Sequence, residues 1–149
     1  MFMLRTVSGF IFAVLVTYLA GTLFISQVNL ASIIELGMVV DISVRIDAAL
    51  HDLTHMYDIY LPVVVVALLI AFSVATGIIK FVPDLRLFGY VLAGFVGLVA
   101  IHVIAKMVLG MTGIAATRSL AGLLLQGVAG AAGGWMFHWR TRSQEADST

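Results

Sequence analysis

IYLPVVVVALLIAFSVATGIIKFVPDLR, residues 59–86, sets the fold class. Residues 59–79 carry no charged side chain and no polar group beyond hydroxyls. At about 1.5 Å per helical residue they cross roughly 30 Å of hydrocarbon. KFVPDLR then stops the helix: Pro83 cannot continue it, and Pro83-Asp84 reads as a turn and cap. A connection this short makes the next apolar run, about 87–109, an antiparallel neighbour.

Working outward, two more runs have spanning length. One lies at about 7–25 and the other, rich in glycine and alanine, at about 120–137. The first follows Arg5, but it is long for the core of a signal peptide and lacks a small-residue cleavage site, so it reads as an uncleaved span. The expected fold is an all-α integral membrane protein: a single four-transmembrane-helix bundle over residues 1–142. Residues 143–149, SQEADST without its neighbours, read as a polar disordered tail.

Composition agrees. Hydrophobic residues make up 62% of the 149 and charged residues 11%, too few charges to cover a water-facing surface. Zero net charge gives no attraction to nucleic acid. The absence of cysteine removes thiol catalysis, disulfides and thiolate metal sites.

Charge placement orients the spans. Arg5, Lys80, Arg86, Arg140 and Arg142 all fall on one side of a four-span chain, and positive charge marks the cytoplasmic side. Both termini are therefore expected in the cytoplasm of a cell with the protein in its inner membrane. Trp135 and Trp139 sit where interfacial aromatics belong, and Tyr57 and Tyr60 read as anchors at the opposite interface. Pro62 falls near the start of its span, where proline is tolerated.

Between spans one and two, residues 38–58 read as an amphipathic helix. Ile42, Ile46, Ala49, Leu50, Leu53 and Met56 recur at three- and four-residue intervals, extended by Tyr60. Asp41, Arg45, Asp47, His51, Asp52, His55 and Asp58 take the other side. Such a helix either lies in the interface or packs on the bundle. The lack of lysine on its polar face favours packing on protein.

Three groups of residues carry possible chemistry. His51 and His55, four apart, share a helix face that suits a divalent metal, although H-x-x-x-H alone is a weak motif. His102 and Lys106 are four apart inside span three, with His102 about 22 Å along it. Ionisable groups there normally face the bundle interior and find a partner, for which Asp58, Glu35 and Asp52 are candidates. Taken together, His55, Asp58, His102, Lys106, Arg118 and Gln126 form the expected polar intramembrane cluster. Third, Gly122, Gly130 and Gly134 repeat along span four with Gln126, a small-residue ridge for helix packing within the chain or between copies. Thr117 or Ser119 is placed to cap that span.

No nucleophile elbow, phosphate loop or metalloprotease signature is present, so an enzyme is not expected. The leading expectation is a non-enzymatic accessory or scaffold subunit. Its partners would be the lipid bilayer and either another membrane protein or a second copy through span four. A small transporter or channel with a path past Asp58, His102 and Lys106 is the alternative. A haem b or metal protein using His55 and His102 is the third reading.

Overall fold

The computed structural model describes residues 2–110 and 114–142. The expected tail, 143–149, and part of the turn before span four lie outside the described residues. The described helices are α1 (Phe2–Glu35), α2 (Ile42–His55), α3 (Tyr57–Ile79), α4 (Arg86–Leu109) and α5 (Leu120–Arg142). Four of these, all but α2, are long and apolar enough to cross a membrane. The chain is an all-α, multi-pass membrane bundle.

The α3–α4 turn forms by the chemistry its sequence prescribes. Phe81 and Val82 N–H groups return to the Ile78 and Ile79 carbonyls at 3.0 and 3.1 Å, and one 3-10 turn, Pro83–Leu85, leads into α4. Every neighbouring pair of membrane helices is antiparallel. Gly9 lies against Thr141, Thr17 against Gly133, and the Gly21 carbonyl against Gln126, which sets α1 against α5. Gly97 meets Ala67 and Ala71, setting α4 against α3. The α4–α5 and α5–α1 interfaces are the most extensive; α1–α3 is the thinnest side.

Close approach of α4 and α5 depends on glycine. A Cβ on Gly94 would collide with the Gly130 carbonyl oxygen, and a Cβ on Gly130 with the Gly94 carbonyl oxygen. A Cβ on Gly134 would strike the Tyr90 carbonyl, and one on Gly122 the Ala116 carbonyl. Gly133 faces the other way, against Ala13 and Thr17 of α1. The small-residue ridge of α5 is thus covered on both sides inside one chain.

One end of the bundle, here called the arginine end, holds the start of α1, the α3–α4 turn and the end of α5. There the Arg86 guanidinium donates to Thr141 Oγ1 at 3.1 Å, and Arg140 lies 4.5 Å from the Phe12 ring centre. Trp135 and Trp139 are exposed near this end. The half-bundle above it has an aromatic core: Phe72 stacks on Phe137 at 4.8 Å, and Phe10 and Tyr90 meet Phe72 edge-on. Thr76 gives its hydroxyl hydrogen to the Phe72 carbonyl (2.7 Å), so it is Tyr90 that donates to Thr76 Oγ1 (3.1 Å).

At the opposite, hairpin end, α1 runs ten residues past the expected end of span one at residue 25. Its 34 residues give about 51 Å of helix against about 30 Å of hydrocarbon. Hydropathy falls over this extension but the helix continues, buried at Ser26 and Leu30 and exposed at Ala31, Ser32, Ile34 and Glu35. Gly37, at φ +85°, then reverses the chain as only glycine does without strain.

α2 packs back along this extension. Arg45 Nη1 donates to Gln27 Oε1 (2.9 Å), and the Tyr18 hydroxyl donates to the Leu53 carbonyl (2.8 Å). The seam on the bundle is Arg45, Ala48, Ala49, Asp52, Leu53 and Met56, all half-buried. This corrects part of the expected apolar face: Ala49, Leu53 and Met56 turn inward, but Ile42, Ile46 and Leu50 point away and are exposed. The reason is the two polar anchors. The bonds of Arg45 and of the Leu53 carbonyl rotate the helix away from its most apolar stripe. Tyr18→Phe is expected to leave the bundle folded but speed hydrogen exchange of α2 amides about fivefold, the equivalent of one ordinary hydrogen bond. Unchanged exchange would mean that the Tyr18 bond does not hold α2.

α2 and α3 are separated only by Met56 (φ −94°, ψ 0°). Pro62 lies inside α3, the sixth residue of that helix rather than in its first turn. It has no N–H for the Asp58 carbonyl, and its ring crowds that carbonyl.

Candidate functional site

At the hairpin end the core changes character. Tyr60 and Gln126 are both fully buried, and the Tyr60 hydroxyl donates to Gln126 Oε1. Gln126 Nε2 in turn donates to the Gly21 carbonyl at 3.2 Å. One relay therefore ties α3, α5 and α1 together. Tyr18 lies beside it, with its ring 5.9 Å from that of Tyr60. This corrects the reading of Tyr60 as an interfacial anchor. Tyr57 is 59% exposed, whereas Tyr60 falls in phase with Val64, Ala67, Leu68 and Phe72, the buried stripe of α3.

α1 adds buried hydroxyls at the same level. Thr17, Thr22 and Ser26 are fully buried, and the hydroxyl oxygens of Thr17 and Ser26 have no hydrogen-bond partner among the described residues. Helical hydroxyls usually return to a carbonyl one turn back, as Ser73 does to Leu69 at 2.6 Å. Sequence reading passed over these three because span one contains no charged residue to draw attention to it.

His102 stands on α4 beside Tyr60, with ring centres 6.3 Å apart. Its Nδ1 lies 2.7 Å from the Leu98 carbonyl. A carbonyl only accepts, so Nδ1 is the donor and the neutral ring carries its lone pair on Nε2. Nε2 is buried and has no partner among the described residues. Among the described residues no carboxylate bonds to either ring nitrogen of His102, so Asp58, Glu35 and Asp52 are not its partners.

One turn further along α4, Lys106 is exposed and shares a pocket of about 280 Å³ with His102, Thr117, Arg118 and Ser119. The segment Ala115–Arg118 forms a 3-10 turn that delivers the last three. Thr117 N–H and Oγ1 both return to the Ile114 carbonyl, at 3.1 and 2.8 Å. Ser119 caps α5, its Oγ accepting from Gly122 N–H at 3.0 Å. Two hydroxyls, two cations and an imidazole thus line one wall, with no carboxylate among the described lining residues.

The remaining candidates are not brought to this pocket. Asp58 is exposed in the first turn of α3. Helical phase explains it: at about 100° per residue Asp58 points roughly 160° away from buried Tyr60. His55 is exposed on α2, its ring stacked on that of His51 at 4.0 Å and 15°. Its Nδ1 lies 2.9 Å from both the His51 carbonyl and Thr54 Oγ1. Two near-parallel ring planes this far apart share no point where one metal could lie in both planes, about 2 Å from a nitrogen of each. Among the described residues no three His, Asp or Glu side chains come together as a metal-holding group. His55 is exposed and stacked on His51, whereas the buried His102 ring lies beside Tyr60.

Comparison with family models, with curated proteins and with solved structures gives no match to this chain.

Proposed function

We propose that this chain is a non-enzymatic accessory subunit of a cell inner membrane, and that its α1–α2 hairpin docks another membrane protein. The observation that carries this reading is the apolar outer face of the hairpin. Val39, Ile42, Ile46 and Leu50 are all more than half exposed, Val39 at 92%. Counting about 30 Å of hydrocarbon from Arg5 places the far boundary near residue 25 of α1. The second half of the hairpin therefore stands beyond the bilayer core, where lipid tails cannot cover these side chains. Exposed apolar clusters in such a place mark interaction surfaces.

The arginine end faces the cytoplasm in this reading, because Arg5, Lys80, Arg86, Arg140 and Arg142 gather there. The hairpin then stands on the outer side. A transport path past Asp58, His102 and Lys106 has less support. Asp58 points away from His102, and the aromatic core of Phe72, Tyr90 and Phe137 fills the half of the bundle below.

The test is extraction in mild detergent with a C-terminal affinity tag. The wild-type chain is expected to retain a second membrane protein, and Ile42→Asp/Ile46→Asp to lose it at least tenfold. The elution volume of the bundle itself should stay the same. A wild-type chain that elutes alone after crosslinking in intact cells, or a double variant that keeps its partner, would sink the proposal.

A further inference from the structure

We propose that the pocket between α4 and the start of α5 binds the phosphate of an anionic, hydroxyl-bearing phospholipid in the leaflet at the hairpin end. This site is separate from the α2 docking face. Three features converge on it.

The first is charge. Of the three Lys and Arg side chains at the hairpin end, Lys106 and Arg118 line this pocket. No carboxylate is among the described residues lining it. The opening N–H groups of α5 point the same way, since a helix start lacks internal acceptors for them and favours an anion. Ser119 uses its hydroxyl on only one of them, that of Gly122.

The second is depth. Arg86 to Lys106 is twenty residues of unbroken helix, about 30 Å, which is the thickness of the hydrocarbon core. With Arg86 at one boundary, Lys106 sits at the headgroup level of the other. Val103 and Leu120 border the pocket and are exposed, giving acyl chains an apolar surface beside the cations. A volume of about 280 Å³ lies at the small end for ligand pockets, sized for a headgroup and not for a whole lipid.

The third is His102, 8% exposed, which lines the pocket and has an Nε2 with no partner among the described residues. With Nδ1 committed as donor to Leu98, Nε2 of the neutral ring accepts and requires a donor. A headgroup hydroxyl supplies one. This points to a phosphoglycerol-type headgroup over a bare phosphomonoester.

The experiment uses the full chain in detergent, titrated with short-chain phosphatidylglycerol, phosphatidic acid, phosphatidylcholine or inorganic phosphate. Binding is read by native mass spectrometry and by the thermal midpoint. Phosphatidylglycerol is expected to bind at least tenfold more tightly than phosphatidylcholine. Lys106→Gln should weaken it about fivefold and Lys106→Gln/Arg118→Gln about twenty-fivefold, at the usual worth of a basic residue near an anionic surface. His102→Phe should erase the preference for phosphatidylglycerol over phosphatidic acid. Lys106 is exposed, so its variant folds and keeps the test decisive if the double variant does not. Equal binding of phosphatidylglycerol and phosphatidylcholine, or undiminished binding by Lys106→Gln, would overturn the site. Inorganic phosphate binding as tightly as the lipid would overturn the lipid assignment in favour of a soluble phosphate.

Discussion

Gly130→Val is expected to prevent the bundle from forming. Its Cβ would occupy the position of the Gly94 carbonyl oxygen, and the next obstacles are the Gly94 carbonyl carbon and Leu98. A side chain can swing aside, but a helix backbone cannot do so without separating α4 from α5. Overpacking a well-filled core ordinarily costs about 1–3 kcal/mol. Here the neighbour is backbone, so the cost should exceed that range and the monodisperse elution peak should vanish. Gly94→Ala should fail for the same reason. Both changes break one contact, so the double variant is expected to be no worse than the more damaged single. Gly77 provides the control: it is helical, and a Cβ there meets nothing within 4 Å. Gly77→Ala should keep or slightly raise stability, by up to about 1 kcal/mol. If Gly130→Val melts within a few degrees of the wild type, the α4–α5 contact is not as close as described.

The second large effect belongs to the Tyr60–Gln126–Gly21 relay. Tyr60→Phe removes only an oxygen, but it leaves Gln126 Oε1 buried without its donor. Stranding a buried polar atom costs about 1–3 kcal/mol, more than the net worth of the bond that satisfied it. Gln126→Leu strands the Tyr60 hydroxyl in the same way. In Tyr60→Phe/Gln126→Leu neither atom is stranded, so the double variant should be distinctly more stable than the sum of the two singles predicts. Thermal midpoints of the four chains give the coupling directly. Strict additivity would show that the relay does not act as a unit. Interhelical bonds in membrane proteins are often weaker than about 1 kcal/mol. Full burial of both residues places this pair toward the upper end.

The spans were legible because the bilayer imposes a length and an apolarity that any reader of the chain can count. Pro83-Asp84 announced the α3–α4 turn for an equally local reason: a missing N–H stops a helix wherever the chain goes afterwards. The extension of α1 was less legible. SQVNLASIIE is polar enough to read as the end of a span, and it stays helical because α2 covers part of it, with Ser26 and Leu30 buried. Of the apolar face expected for α2, Ala49, Leu53 and Met56 turn inward while Ile42, Ile46 and Leu50 face away, since the bonds to Gln27 and Tyr18 fix its rotation.

The candidate site divides along the same line. His102 and Lys106 stand out in any reading, because charge and imidazole inside a span are costly and rare. Arg118 is already grouped with them in the expected cluster, but their pairing with Thr117 and Ser119 rather than with His55 and Asp58 depends on helical phase across three elements. No spacing within one helix reveals it. Tyr60, Thr17, Thr22 and Ser26 carry no formal charge, so only their burial shows that they matter.

By itself, then, the sequence determines four membrane helices, their order and the sign of charge at each end. These follow from local covalent constraints and from the bilayer acting on each helix separately. Tertiary structure alone decides which face of each helix turns inward. That choice is made by contacts between helices, such as Gly94 on Gly130 and Tyr60 on Gln126, whose free energies no single helix contains.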